Sequence, residues 1–306
     1  CMKYLKPGSA AAADAIVWAI RDYQKEKPVA DEVFQIYRSL YTYDKTPLHP
    51  VIESSDEKPE HWRTEKINFE TAYANERMSA YLFLPKNVAP PYQTVIFFPG
   101  SGVLYLRNSS VITQDARNMQ RLDFVIQSGR AVLYPIYKGT FERGDGLNSD
   151  YPATSSLYRD HVIQWSKDLG RSIDYLETRK DIDMSKLAFY GASWGGAMGM
   201  ILPALEPRLK ANVLLVGGFY LQKTLPEVDQ INFVSRVSIP TLMLNGRYDF
   251  FLPINTAQLP AFRLLGTPQK DKRQVIYDTG HDIPRKELIR EVLNWLDRYL
   301  GPVNIS

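Results

Sequence analysis

Residues 187–198 constrain the fold of this chain more than any other stretch. They combine a short apolar run, a serine framed by glycines and the start of a helix. Ser193 stands between Gly191 and Gly195, in the spacing G-x-S-x-G. A serine on a sharp turn from strand to helix has strained backbone geometry, and side chains two residues away on either side would clash. The spacing therefore predicts a reactive serine at the end of a buried strand.

The helix that follows Ser193 indicates what the serine could do. Its first amide groups, and the positive end of its dipole, would lie where negative charge develops on an attacked carbonyl oxygen. A serine hydroxyl is a weak nucleophile, so it needs a base, an acid that orients the base and an oxyanion site elsewhere in the chain. The alternative is a glycine-rich helix start in which Ser193 is merely small.

Apolar runs of the length of a buried strand recur along the chain and alternate with helical patterns. The runs are residues 94–98, 131–136, 187–190, 211–216, 241–244 and 274–277. The clearest helical patterns are residues 113–127, 155–178, 195–205, 255–265 and 285–300. Strands that alternate with helices form right-handed crossovers and a mostly parallel sheet covered on both faces.

Two segments ahead of this alternation have the pattern of an antiparallel hairpin. Residues 67–73 and 78–84 alternate apolar and polar side chains around the turn Ala74-Asn75-Glu76. With this pair included, the sequence predicts an α/β fold with eight strands in a mostly parallel sheet, the first pair being antiparallel.

The chain is predicted to have two parts, an N-terminal helical extension at residues 1–60 and a main domain at residues 61–306. A length of 306 residues suffices for one α/β domain and an extension. Residues 9–26 carry an alanine run, and residues 31–41 repeat apolar side chains at three- and four-residue spacing. We expect both helices to pack as a flank on the main domain.

Three tyrosines near the end of this extension, Tyr37, Tyr41 and Tyr43, allow two interpretations. Aromatic residues at helical spacing are usually buried, which favours packing against the main domain. The alternative hypothesis is that they reach the rim of the functional site.

Charge and composition exclude several classes of function. The formal net charge is only +3 and the Lys and Arg residues are dispersed, so the sequence predicts no nucleic-acid partner. The single cysteine, Cys1, excludes an internal disulfide framework and a cysteine-rich metal site. No apolar run approaches the roughly 18 residues that span a bilayer. We expect a soluble chain without membrane insertion, cofactor or metal, slightly favour the cytoplasm, and leave the oligomeric state open.

The order of the predicted strands along the chain indicates which residues act as the base and the acid for Ser193. In a doubly wound sheet, functional groups stand at the carboxyl ends of the strands, where loops converge on one crevice. Asp249 follows the run 241–244 and His281 follows the run 274–277. We therefore expect both at the same sheet edge as Ser193, with His281 as the base and Asp249 as the acid that orients it.

Of the four histidines, only His281 meets this positional requirement. His49 and His61 precede the sheet. His161 lies within an apolar helical stripe, where a buried histidine with satisfied hydrogen bonds is expected.

Two other carboxylates compete with Asp249 for the role of the acid. Asp278 and Asp282 are close to His281 in the sequence. They would need unusual geometry to reach the far ring nitrogen of His281, so Asp249 is the preferred acid.

An oxyanion site requires two backbone N–H groups. One belongs to the residue after the nucleophile, Trp194. The second is expected in the loop at residues 98–102, where small residues let the main chain approach a substrate, and Ser101 holds the preferred position. The alternative for this loop is an ordinary tight turn.

Four segments together resemble the α/β-hydrolase superfamily of serine hydrolases, in the style of dienelactone hydrolases, acetyl xylan esterases and the prolyl oligopeptidase catalytic domain. They are Gly191-Ala192-Ser193-Trp194-Gly195, the loop at residues 98–102, Asp249 and Gly280-His281-Asp282. The resemblance extends over residues 61–300 and implies an α/β-hydrolase fold.

The resemblance also assigns roles. It implies a catalytic triad and an oxyanion hole, formed by Ser193, Asp249 and His281 and by the amides of Trp194 and Ser101. In many members a histidine precedes the glycine of the oxyanion loop, whereas this chain has Pro99. The second oxyanion donor is therefore less firmly indicated than the triad.

The first five residues, Cys1-Met2-Lys3-Tyr4-Leu5, resemble the closing strand of formylglycine-generating-enzyme-like domains. Such domains occur in bacterial multidomain chains that end in a hydrolase of this kind. This resemblance implies that the chain is the C-terminal hydrolase module of a larger protein.

These expectations converge on a serine hydrolase that cleaves small-molecule carboxylic esters through an acyl-enzyme on Ser193. A serine peptidase and a hydrolase-shaped binding module without turnover are the alternatives. Many relatives insert a lid where this chain has only residues 217–240, so the cover is expected from the loops at 103–112 and 139–153, and the N-terminal helices are an additional candidate. These segments are rich in aromatic or polar residues rather than in the aliphatic surface that a lipid interface would select, so we expect short acyl chains and no interfacial activation.

Overall fold

The computed structural model describes residues 21–114 and 119–305, and one sheet of nine strands forms their framework. In chain order the strands are β1 (Val51–Asp56), β2 (Trp62–Glu70), β3 (Arg77–Pro85), β4 (Tyr92–Phe98), β5 (Ala131–Pro135), β6 (Ile182–Ala192), β7 (Leu209–Leu215), β8 (Thr241–Gly246) and β9 (Lys272–Tyr277). Their order across the sheet is β1-β2-β3-β5-β4-β6-β7-β8-β9.

The first part of the sheet is antiparallel and the rest is parallel. β1, β2, β3 and β5 pair antiparallel, and every pairing from β5 through β9 is parallel. This architecture confirms the predicted α/β-hydrolase fold and the hairpin of β2 and β3. The prediction of eight strands is wrong, because β1 adds a ninth at the edge. All six residues of β1 are exposed, so it has no apolar alternation to reveal it.

The described helices lie between the strands. They are α1 (Asp31–Ser39), α2 (Val111–Gln114), α3 (Asp123–Gln127), α4 (Ser156–Glu177), α5 (Trp194–Met198), α6 (Ile231–Val234), α7 (Leu259–Leu264) and α8 (Arg285–Leu300). The two longest, α4 and α8, were predicted almost to the residue. Neither these nor any other helix in the described ranges is long and apolar enough to cross a membrane.

Three predicted helical patterns are not continuous α-helices. The pattern at 195–205 ends its α-helix at Met198 and continues as a 3-10 turn, because glycine and proline weaken the helix interior. The pattern at 255–265 divides into a π-turn and α7, which carries Pro260 in its first turn. In the pattern at 113–127, residues 113–114 end α2, residues 120–122 form a turn, and residues 123–127 form α3.

The two faces of the sheet carry separate apolar clusters. In β4, Ile96 and Phe98 join one cluster while Val95 and Phe97 join the other. Helix α4 packs on the first face and α8 on the second. Each strand in the centre is thus buried on both sides, which explains why its sequence is a continuous apolar run.

Described residues of the N-terminal extension pack against the segment between β7 and β8 and against helix α4. The ring of Phe34 in α1 meets Phe233 edge-on, with 5.3 Å between centroids, and lies under the guanidinium of Arg236 at 4.1 Å. The phenol of Tyr41 donates to the carbonyl of Glu227 at 2.7 Å, and that of Tyr43 donates to Asp174 at 3.0 Å. These contacts agree with packing rather than with a place at the site rim.

The predicted helix at residues 9–26 and the resemblance of residues 1–5 lie wholly or largely outside the described residues. The described end of that helix, residues 21–26, holds a turn instead, in which the amides of Lys25 and Glu26 donate to the carbonyl of Asp22.

Candidate active site

Ser193 follows the last residue of β6 and precedes the first residue of α5. Its backbone has φ +55° and ψ −108°, a conformation that L-residues other than glycine rarely adopt. The amide of Ser193 donates to the carbonyl of Leu215 at 2.8 Å, which ties the turn to the end of β7. The predicted strained turn between strand and helix is therefore present.

Both flanking glycines are required by backbone contacts. A Cβ atom at Gly191 would overlap the carbonyl oxygen of Gly195. A Cβ atom at Gly195 would in turn overlap the carbonyl oxygen of Phe98, at the end of β4. Backbone cannot move aside as a flexible side chain can, so neither position accepts a larger residue without a shift of the turn.

The imidazole of His281 bridges the other two residues of the predicted triad. Its Nδ1 lies 2.7 Å from Oδ2 of Asp249, and its Nε2 lies 2.7 Å from Oγ of Ser193. Because a carboxylate accepts hydrogen bonds, Nδ1 carries the proton, and Nε2 accepts from the hydroxyl of Ser193. Sequence reasoning named all three residues, and the structure brings them together at one edge of the sheet.

Asp249 is fixed by its own turn. Its side chain is fully buried, and Oδ1 accepts hydrogen bonds from the amides of Phe251 at 3.0 Å and Leu252 at 3.1 Å. This leaves Oδ2 directed at His281. The competing carboxylates lie elsewhere: Asp278 accepts from Arg247, and Asp282 is mostly exposed.

The amides of Trp194 and Ser101 both stand at the start of a helical turn, where N–H groups have no partner within the turn. Among the hydrogen bonds of residues 21–114 and 119–305, neither amide has an acceptor. A hydrogen bond from the amide of Gly195 to the carbonyl of Pro99 at 3.0 Å joins the two loops. Gly100 approaches Ser193 closely enough that a Cβ there would lie 3.5 Å from that of the serine.

The side chain of Trp194 points away from this site. It is fully buried and meets the rings of Phe98 and Trp165 edge-on, with centroids 4.8 and 4.7 Å away. Its packing anchors the start of α5, so that the amide of the same residue is held beside Ser193.

A cavity of about 390 Å³ lies beside Ser193 and His281. Its walls include Tyr105, Arg121, Asp150, Tyr151, Tyr220 and Phe251. Sequence reasoning named the cover loops at 103–112 and 139–153 but none of these residues singly. Within the described ranges, no group of three or more His, Cys, Asp or Glu side chains could hold a metal ion.

The phenols of two wall residues are firmly protonated. Burial raises the pKa of Tyr220 well above its usual range, and the negative charge of Asp150 raises it further. Burial also raises the pKa of Tyr151, with smaller contributions from the charges of Asp150 and Asp249. A protonated phenol can donate a hydrogen bond, and Tyr220 donates one to Oδ2 of Asp150.

His161 has the structural role that its sequence position predicts. Its side chain is buried, Nδ1 lies 2.7 Å from the carbonyl of Leu157, and Nε2 lies 2.9 Å from Oδ1 of Asp145. Burial alone would raise the pKa of Asp145, but the hydrogen bond and charge of His161 lower it overall. The pair fixes the loop at residues 139–153 to helix α4.

Comparison with known proteins gives one family and several similar structures. The dienelactone hydrolase family matches residues 78–277, well over half of the chain. Acetyl xylan esterase 1 from Thermoanaerobacterium sp. JW/SL YS485 is 18% identical with a TM-score of 0.69, covering 90% of this chain and 96% of its own. An acetyl xylan esterase from Paenibacillus sp. R4 is 18% identical with a TM-score of 0.63, covering 91% and 98%.

A third similar structure is the glucuronoyl esterase from Solibacter usitatus. It is 13% identical with a TM-score of 0.61, and the alignment covers 87% of this chain and 91% of that one. At such identities, these three structures establish the shared fold, while the family match covers the segment from β3 to the end of β9.

Proposed function

Because the chain belongs to the dienelactone hydrolase family and is a carboxylic ester hydrolase, we propose that it cleaves esters through an acyl-enzyme on Ser193. In this proposal His281 is the general base and then the general acid. Asp249 holds the imidazole in the required tautomer and stabilises its charged form. The amides of Trp194 and Ser101 form the oxyanion hole.

The reaction proceeds in two halves. Oγ of Ser193 attacks the ester carbonyl carbon while Nε2 of His281 takes the hydroxyl proton, and the carbonyl oxygen becomes an oxyanion that accepts from the two amides. Collapse of this intermediate breaks the bond to the alcohol, which leaves with the proton from His281. Water then attacks the acyl-enzyme while His281 takes its proton, and His281 returns this proton to Oγ of Ser193 as the acid is released.

One observation carries this proposal. The imidazole of His281 is hydrogen-bonded on both sides, at 2.7 Å to the hydroxyl of Ser193 and at 2.7 Å to the carboxylate of Asp249. A serine merely required for its small size would need neither partner. The buried carboxylate has its second oxygen occupied by two amides, so its orientation toward the imidazole is built into the turn.

The proposed substrates are esters of short acyl groups. The cavity beside Ser193 has a volume of about 390 Å³, and several of its wall residues are polar. The segment between β7 and β8 contains only a 3-10 turn and the four-residue helix α6 rather than a lid domain. Two similar structures are acetyl xylan esterases, whose name denotes a two-carbon acyl group, which supports the same size class.

The test combines active-site labelling with matched substrates. We expect a fluorophosphonate probe to label Ser193, and p-nitrophenyl acetate to be hydrolysed much faster than the corresponding aminoacyl p-nitroanilides. The Ser193→Ala variant is the control for both measurements. Faster cleavage of the anilides would favour a peptidase, and absence of both labelling and turnover would favour a binding module.

A further inference from the structure

The carboxylate of Asp150 takes no part in the proposed ester cleavage, yet it lines the same cavity as Ser193. Its Oδ2 accepts the hydrogen bond from the phenol of Tyr220. Within residues 21–114 and 119–305, Oδ1 of Asp150 has no hydrogen-bond donor and the carboxylate has no cationic partner. A carboxylate oxygen without a donor, on the wall of a catalytic cavity, is positioned to accept a hydrogen bond from a ligand.

The loop that carries Asp150 is held rigidly at several points. Arg143 Nη1 lies 2.6 Å from Oδ2 of the fully buried Asp168, and Asp145 is paired with His161. Farther along the loop, the phenol of Tyr105 donates to the carbonyl of Asn148 at 3.1 Å. A carboxylate fixed in this way loses little conformational entropy when a ligand binds.

Tyr220, which orients the carboxylate, is fixed as well. Its amide donates to the side-chain oxygen of Gln230 at 2.8 Å, and its carbonyl accepts from the phenol of Tyr23. Its ring meets Tyr151 edge-on, with 5.7 Å between centroids. One oxygen of Asp150 is thus occupied by a protein donor that cannot be displaced easily, and the other is left for the substrate.

Arg121 is the cation among the described residues of the cavity wall. Its guanidinium lies 3.8 Å from the carboxylate of Asp282 and is partly exposed to solvent. It forms no ion pair with Asp150 in the described structure. The negative charge of Asp150 is therefore not cancelled by a direct contact.

We propose that Asp150 is a specificity-determining residue that selects esters bearing a hydroxyl group near the scissile bond and disfavours esters bearing a carboxylate. This inference rests on the proposed function. A substrate hydroxyl donates to the free oxygen of Asp150, whereas an anionic group meets the negative charge of a carboxylate that has no direct cationic contact among the described residues. The expected substrates are neutral esters that carry a hydroxyl group close to the ester bond.

The experiment measures kcat/KM for two matched pairs of substrates. Glycerol monoacetate against propyl acetate reports the hydroxyl preference, and ethyl hydrogen succinate against ethyl butanoate reports the discrimination against charge. We expect the wild type to prefer the hydroxyl ester and to discriminate against the anionic ester, each by about tenfold. In Asp150→Asn, which keeps the side-chain volume, both ratios should move toward one.

Asp160→Asn is the control, because it removes the same charge from an exposed carboxylate on α4 that pairs with Arg159. It should leave both ratios as in the wild type. The proposal is overturned if both ratios in Asp150→Asn stay within about twofold of the wild-type values. It is also overturned if the wild type favours the anionic ester, and this result does not depend on whether the variant folds.

Hydrolysis of p-nitrophenyl acetate by the wild type distinguishes failure of the proposed role of Asp150 from failure of the proposed ester hydrolysis. If the wild type hydrolyses this ester and the ratios do not move, only the role of Asp150 is refuted. If the wild type neither hydrolyses it nor reacts with the fluorophosphonate probe, the proposed function fails and the selectivity of Asp150 fails with it.

Discussion

The turn at residues 191–195 and the loop at residues 139–153 form two walls of one cavity, but different contacts hold them. The turn is fixed by close contacts between main-chain atoms. Gly191 packs against the carbonyl of Gly195, and Gly195 packs against the carbonyl of Phe98. The loop is fixed by pairs of side chains, such as His161 with Asp145. A backbone contact rejects a single added carbon, whereas a side-chain pair can be exchanged for another. The reacting atoms are therefore held rigidly, and the selectivity of the opposite wall can change with few substitutions.

The largest effect is expected from removing the nucleophile. Ser193→Ala should lower ester turnover by roughly four to six orders of magnitude, because only the oxyanion and binding contributions remain. His281→Ala should be about as damaging. Steady-state hydrolysis of p-nitrophenyl acetate measures both, with circular dichroism to show that the fold is intact. Retention of more than about a tenth of the activity would remove Ser193 from the mechanism.

The next effect concerns the orienting acid. Asp249→Asn should lower kcat by about three to four orders of magnitude, because an amide at this position can stabilise the wrong tautomer of His281. Asp282→Asn, at an exposed carboxylate beside the same histidine, is the matched control and should be nearly neutral. If Asp282→Asn is the more damaging variant, the assignment of Asp249 is wrong.

A third effect tests the backbone contact itself. Gly195→Ala places a Cβ against the carbonyl oxygen of Phe98, and we expect it to lower the free energy of unfolding by about 1–3 kcal/mol or more. Gly102→Ala is the control, because a Cβ at that position meets no atom within 4 Å. Urea denaturation compares the two variants. Equal midpoints would show that the turn relaxes around the added carbon.

The difference between the turn at residues 191–195 and the loop at residues 139–153 also explains which features could be predicted from the sequence. A strand buried on both faces must be apolar throughout, and the turn at Ser193 must have glycines, so both are visible in a single sequence. Chain order then places Asp249 and His281 at the correct strand ends. The main architecture and the candidate triad follow from such local requirements.

The residues of the cavity wall opposite Ser193 could not be predicted from the sequence in this way. Asp150 lies in a loop without periodicity, and Tyr220 follows β7 without a motif. Their side chains meet only because the chain brings together residues that are 70 positions apart. The edge strand β1 escaped prediction for a related reason, since all of its side chains face solvent and no burial pattern marks it.

The smallest effect concerns access to the cavity, and it tests the loop wall as a whole. Each methylene buried by a pocket contributes about 0.8 kcal/mol, so a site that accepted long chains would gain about fourfold in kcat/KM for every added methylene. The cavity beside Ser193 is about 390 Å³, and its walls include Asp150 and three tyrosines. We therefore expect p-nitrophenyl acetate and butyrate to be preferred over octanoate and longer esters by roughly tenfold.

The exposed side chains of Phe250 and Phe251 give the comparison of p-nitrophenyl esters of different chain length a second purpose, because they could form a surface for lipid. Phe251 meets the ring of His281 edge-on at 5.0 Å, so an apolar rim does stand at the mouth of the cavity. If that rim served a lipid interface, the rate would jump when long-chain substrate passes into micelles. Two aromatic rings are a small surface compared with the aliphatic face of an interfacial element. We expect the rate to follow dissolved substrate smoothly through the micelle threshold, and a jump there, or a steep rise with chain length, would refute the short-chain assignment.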